Sequence, residues 1–122
     1  HNAIETDKPE IQKILTAYEE NKPIEWVRVH NLPDLSYFNH AQHVKVGGIE
    51  CETCHGPIKE MDVVYQYSEL TMGWCINCHR ETNVNAKGNE YYDKLVALHG
   101  KNSKNPLKVQ DIGGLECSKC HY

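Results

Sequence analysis

Every cysteine in this 122-residue chain belongs to one of three copies of Cys-x-x-Cys-His: Cys51, Cys54 and His55; Cys75, Cys78 and His79; Cys117, Cys120 and His121. Two intervening residues bring both sulfurs onto one turn of backbone, and the histidine that follows is held beside them without long-range folding. This is the attachment pattern of c-type haem, in which two thiols add across porphyrin vinyl groups and the adjacent imidazole takes one axial position on iron. Six cysteines could instead form disulfides, which suit an exported protein, but that leaves the three histidines without a reason. A structural zinc needs four ligands and would have to combine motifs, leaving ligands unused or shared. Three covalent haems use every member of all three motifs, and three haems in one small chain imply an electron carrier.

Composition agrees. Only 39% of the residues are hydrophobic and there is a single phenylalanine, so little apolar surface is at hand to offset the conformational entropy of folding. Haems would supply it, with about 41 residues of polypeptide forming a thin shell around each. The formal charge is −4, falling to roughly −10 if six propionates ionise, which suits redox partners with basic patches. No basic stripe points to nucleic acid, and no apolar run is long enough to span a membrane. Haem attachment by this chemistry occurs on the exported side of the membrane, so a periplasmic or extracytoplasmic location is expected. The chain starts at His1 without a visible leader, as a processed protein or an excised domain would.

Along the chain, residues 7–21 read as a surface helix with Asp7 as N-cap, Pro9 in the first turn, and Ile11, Ile14, Leu15 and Tyr18 on one face. Pro23 ends it, making residues 1–23 an N-terminal arm or linker and residues 24–122 the trihaem domain. Residues 24–38 carry an extended pattern around the turn signal Asn31-Leu32-Pro33-Asp34, predicting short strands or a small hairpin. Leu70 to His79 suggests a helical turn around the second motif. A helix is predicted over Asn89 to His99, with Tyr92, Leu95, Val96 and His99 on one face and Gly100 as its stop. The first cysteines of successive motifs are 24 and then 42 residues apart, so the chain is no tandem repeat of one unit.

A six-coordinate haem needs a second axial ligand, and five histidines lie outside the motifs: His1, His30, His40, His43 and His99. His40 and His43, three apart, fall on the same side of a helical turn with Cβ atoms about 5 to 6 Å apart. They cannot grip one iron from opposite faces, but each can serve a different haem, which would bring two haems close together.

The block Tyr37-Phe38-Asn39-His40-Ala41-Gln42-His43, followed by Cys51-Glu52-Thr53-Cys54-His55, resembles the class III multihaem cytochromes, the small trihaem and tetrahaem carriers. The resemblance implies a fold with few regular elements, in which short helices, a small β-hairpin and loops wrap around three haems. It also implies that His40 faces the haem of His55 and His43 the haem of His79. A longer string, from Val29-His30-Asn31-Leu32-Pro33-Asp34 through Leu70-Thr71-Met72-Gly73-Trp74-Cys75 to Gly113-Gly114-Leu115-Glu116-Cys117, is similar to the C-terminal part of the multihaem subunit of alternative complex III, a quinol-oxidising respiratory assembly. That likeness implies a quinol-oxidising module as electron donor and a soluble cytochrome or an oxidase as acceptor.

The distal ligand of the third haem stays open at this level. In the small class III carriers it lies between motifs, yet residues 56–74 contain no histidine. His30 ranks first, within the block shared with the larger subunit; His99, Met61 and Met72 follow, and His1 comes last. The expected function is electron transfer with no catalytic residues. The rival is an enzyme whose third haem is five-coordinate and reduces a small molecule such as nitrite or hydroxylamine.

Overall fold

Pro9 sets where the first helix begins, because its fixed φ and missing N–H suit the first helical position. The computed structural model describes residues 3–122, and in it α1 spans Pro9–Glu19 with Lys8, not Asp7, at the cap and no side-chain capping bond. The helix closes with Asn21 at φ 51°, where Lys22 N–H donates to the Ala17 carbonyl and Asn21 N–H to that of Tyr18, a Schellman ending ahead of Pro23. The ion pairs Lys8–Glu5 and Lys22–Glu20 also stay within the arm.

The predicted hairpin over residues 24–38 is absent. No strand occurs among the described residues; their only bridge is an antiparallel one between Asn83 and Lys108. The extended pattern is real, but the backbone donors of this segment go elsewhere. Asn31 N–H reaches the Gln66 side chain at 2.9 Å, Ser36 N–H closes a turn on Pro33, and Tyr37 N–H donates to the Cys120 carbonyl at 2.9 Å. The segment is a strap laid across the third motif rather than half of a sheet.

Downstream, α2 (Cys51–His55), α3 (Met72–Glu81) and α4 (Glu90–Asn102) are joined by turns. Thr71 caps α3 through Trp74 N–H, and Asn89 caps α4 through Tyr91 and Tyr92 N–H. Gly100 does not stop α4, which continues to Asn102. Glycine within a helix costs about 1 kcal/mol relative to alanine, which does not by itself end one. After α4 the chain returns to α3: Val84 N–H bonds the Leu107 carbonyl and Val109 N–H the Thr82 carbonyl.

Leu107 is the one buried apolar residue among those described. The chain exposes 9978 Å², whereas a compact chain of this length would expose roughly 6,700 Å². Side-chain packing alone therefore builds no core here, and the three motifs are positioned by turns, caps and backbone hydrogen bonds.

Candidate haem-binding sites

The three motif histidines are each tethered at Nδ1. His79, on α3, donates to the Gly114 carbonyl at 2.6 Å, and His121 donates to the Leu35 carbonyl at 2.7 Å. His55, at the end of α2, instead meets Nε2 of His30 at 3.0 Å. In every case Nε2 is the nitrogen left for a metal, which is how second-shell partners fix the tautomer and direction of a ligating imidazole. Gly56 supports the first of these: at φ 64° it ends α2 with its Cα against the Tyr67 ring, where a Cβ would come within 2.4 Å.

Asn39 organises the other two histidines. Its side-chain oxygen accepts from Gln42 N–H at 3.2 Å, and its carbonyl accepts from both the backbone N–H of His43 and its ring Nδ1, the latter at 2.9 Å. This starts the turn that runs into the π-helical segment Gln42–Val46, and Asn85 holds its far end by donating to the Val46 carbonyl at 2.9 Å. His40 and His43 then lie on one side of the turn. His40 stands parallel to His55, with ring centroids 6.4 Å apart and planes within 1°, while His43 faces His79 at 6.1 Å and 28°. Two imidazoles bound on opposite sides of one metal, each through a bond of about 2 Å, have centroids roughly 6 Å apart. Phe38 spans the pair, edge-on to His40 at 4.8 Å and stacked on His43 at 4.2 Å.

No two of the six cysteines are joined in a disulfide. Burial, with Cys78 close by, pushes the Cys54 thiol up. Burial, then the nearby thiols of Cys120, Cys78 and Cys54, raises Cys75. Cys75 of the second motif thus lies near thiols of both the first and the third. For His55, burial followed by the neighbouring His30 and His40 rings lowers the pKa, favouring the neutral form that binds metal. No group of three or more His, Cys, Asp or Glu side chains gathers as a metal-ion site among the described residues.

The remaining candidates for the third site are dispersed. His30 lies edge-on to His55, ring centroids 4.5 Å apart. His99 uses Nε2 to donate to the Asn105 carbonyl at 3.0 Å. Met61 is half-buried beyond the turn Ile58–Glu60, and Met72 is exposed at the start of α3. His1 lies outside the described residues. Among the described residues, His121 has no ring partner comparable to His40 or His43. Tyr37 stacks on Tyr122 beside it, centroids 5.0 Å apart. Sequence reading missed Leu35 and Gly114, since each acts through a backbone carbonyl; the Gly113-Gly114 pair before the third motif was the only local signal.

These residues fit covalent haem. Paired thiols lie on single turns, each followed by an imidazole with a free Nε2; two of those imidazoles have partners at iron-spanning distance, and no protein core competes for the apolar space. Such a constellation defines a small multihaem cytochrome c, an electron-transfer protein. The sequence profile of cytochrome c3 matches residues 39–122, and the chain belongs to that family. The match begins at Asn39, the organiser of the distal pair, and takes in all three motifs, consistent with three c-type haems. No curated protein sequence matches the chain closely enough to count as a relative. No described helix is long and apolar enough to cross a membrane.

Proposed function

We propose that this chain conducts electrons through three haems arranged around the second motif. His55 and His40 are the axial pair of the first haem, His79 and His43 the axial pair of the second, and His121 the proximal ligand of the third. The observation that carries this is the pair of opposed imidazoles whose distal members are three residues apart on one turn. One seven-residue stretch, Asn39 to Lys45, thereby fixes two irons relative to each other. When bound, haem supplies one-electron chemistry. The chain's residues set its spacing, its axial ligands and their orientation.

The resemblance to the alternative complex III haem subunit supports a role in or beside a quinol-oxidising respiratory assembly. There it receives electrons from the quinol-oxidising module and passes them to a soluble cytochrome or an oxidase, on the extracytoplasmic side. Single substitutions His40→Ala and His43→Ala in the haem-loaded protein test the ligand assignment. Each should convert one low-spin haem to high spin in the electron paramagnetic resonance spectrum, and the affected haem should differ between them. If both changed the same haem, the assignment would be wrong.

A second reading draws on His121. Among the described residues no imidazole stands against its ring as His40 and His43 stand against theirs, which favours a five-coordinate third haem able to reduce a small molecule. Carbon monoxide binding to one third of the reduced haem supports that reading; a wholly low-spin protein that ignores carbon monoxide removes it.

A further inference from the structure

The three proximal histidines are not tethered alike. His79 and His121 donate Nδ1–H to backbone carbonyls, those of Gly114 and Leu35, whereas Nδ1 of His55 meets an imidazole nitrogen, Nε2 of His30, at 3.0 Å. With iron on Nε2 of His55, the proton must sit on Nδ1, so His30 accepts through Nε2 and carries its own proton on Nδ1. An imidazole nitrogen is a stronger base than an amide carbonyl. It draws the shared proton further from His55 and leaves that ring a stronger electron donor to its metal, which favours the oxidised state.

From this asymmetry we infer that His30 is a positioning residue for the first haem, orienting His55 and lowering the potential of that haem alone. The inference rests on the haem reading of the three motifs. It gives His30 a different role from the distal ligation of the third haem expected from sequence. The ring geometry fits that role: the rings meet edge-on with centroids 4.5 Å apart, too close for two rings on opposite sides of one iron. His30 lies on the strap, outside residues 39–122, the part that matches the family.

The test uses the haem-loaded protein with His30→Leu and His30→Gln. Midpoint potentials are resolved by spectroelectrochemistry, and spin states by electron paramagnetic resonance. Leucine removes the acceptor, and the reduced-to-oxidised ratio of one haem at fixed poise should rise about tenfold, a shift of roughly 59 mV for one electron. Glutamine restores a carbonyl acceptor like those serving the other two sites, so its shift should be smaller and in the same direction. The other two potentials should hold in both variants. Unchanged potentials, or an equal shift of all three haems, would overturn the inference. So would one haem turning high-spin and binding carbon monoxide, since His30 would then be an axial ligand. A protein without the reducible c-type spectrum would instead refute the haem reading beneath it.

Discussion

The first two haem sites and the third are built differently. The first two share a distal turn: Asn39 fixes it, His40 and His43 project from it, and Phe38 touches both rings. Their geometry is mutual, so displacing one site displaces the other. The third is a short 3-10 turn, Cys117–Lys119, secured by the strap through Leu35 and Tyr37. Among the described residues, no second imidazole faces His121 as His40 and His43 face His55 and His79. Local chemistry thus makes each motif able to hold a haem, while the distal turn makes two of them a rigid unit.

The sharpest way to break this contrast is to remove thiols. Cys75 lies near thiols of both other motifs, Cys54 and Cys120, so the double substitution Cys75→Ala, Cys78→Ala removes the anchor of the haem expected at the centre of the proposed arrangement. With Leu107 as the one buried apolar residue among those described, folding is expected to be coupled to haem binding. Mass spectrometry should show loss of the second haem, and far-UV circular dichroism and proteolysis should show widespread loss of structure. Cys117→Ala with Cys120→Ala should leave two haems and most of the helical signal. Equal damage from the two pairs would mean that the third site is as integral as the second.

A smaller effect probes the link by which the segment after α4 reaches the ring of His79. Gly114 accepts from His79, and a Cβ on it would lie 2.5 Å from Cγ1 of Val109 and 2.7 Å from its carbonyl oxygen. Backbone oxygen cannot swing aside, so Gly114→Ala should cost about 1–3 kcal/mol. The melting temperature of the haem-loaded protein should fall, and the second haem alone should change its spectrum. If the melt shifted while the spectra of all three haems stayed the same, the carbonyl would have no part in holding His79.

How much of this was legible in sequence follows from where the determinants lie. The motifs could be read because Cys-x-x-Cys-His confines its chemistry to one turn, and the likeness to class III carriers pointed to His40 with His55 and His43 with His79, rings that the structure sets 6.4 and 6.1 Å apart. The Nδ1 acceptors could not, because two of them are carbonyls of Leu35 and Gly114, which any residue type provides. The hairpin expected over residues 24–38 failed for a related reason. Alternation reports an extended chain but not the partner of its N–H groups, which here are Gln66 and Cys120. Asp7 lost the cap to Lys8 because Pro9 dictates the first helical position.

The smallest effect lies outside the cluster and serves as its control. Gly100 sits inside α4, its φ is not in the left-handed region, and a Cβ there meets nothing within 4 Å. Alanine loses less backbone entropy on folding, so Gly100→Ala should stabilise the helix by about 0.5–1 kcal/mol. For a domain of this size that is a rise in melting temperature of roughly 2–5 °C by calorimetry, with all three potentials unchanged. The comparison with Gly114 is the useful part: the same added methyl group should act in opposite directions because one glycine faces open space and the other faces Val109. A fall in melting temperature on Gly100→Ala would show that α4 is packed against a haem on the face that carries Gly100, extending the cofactor cluster beyond the three motifs.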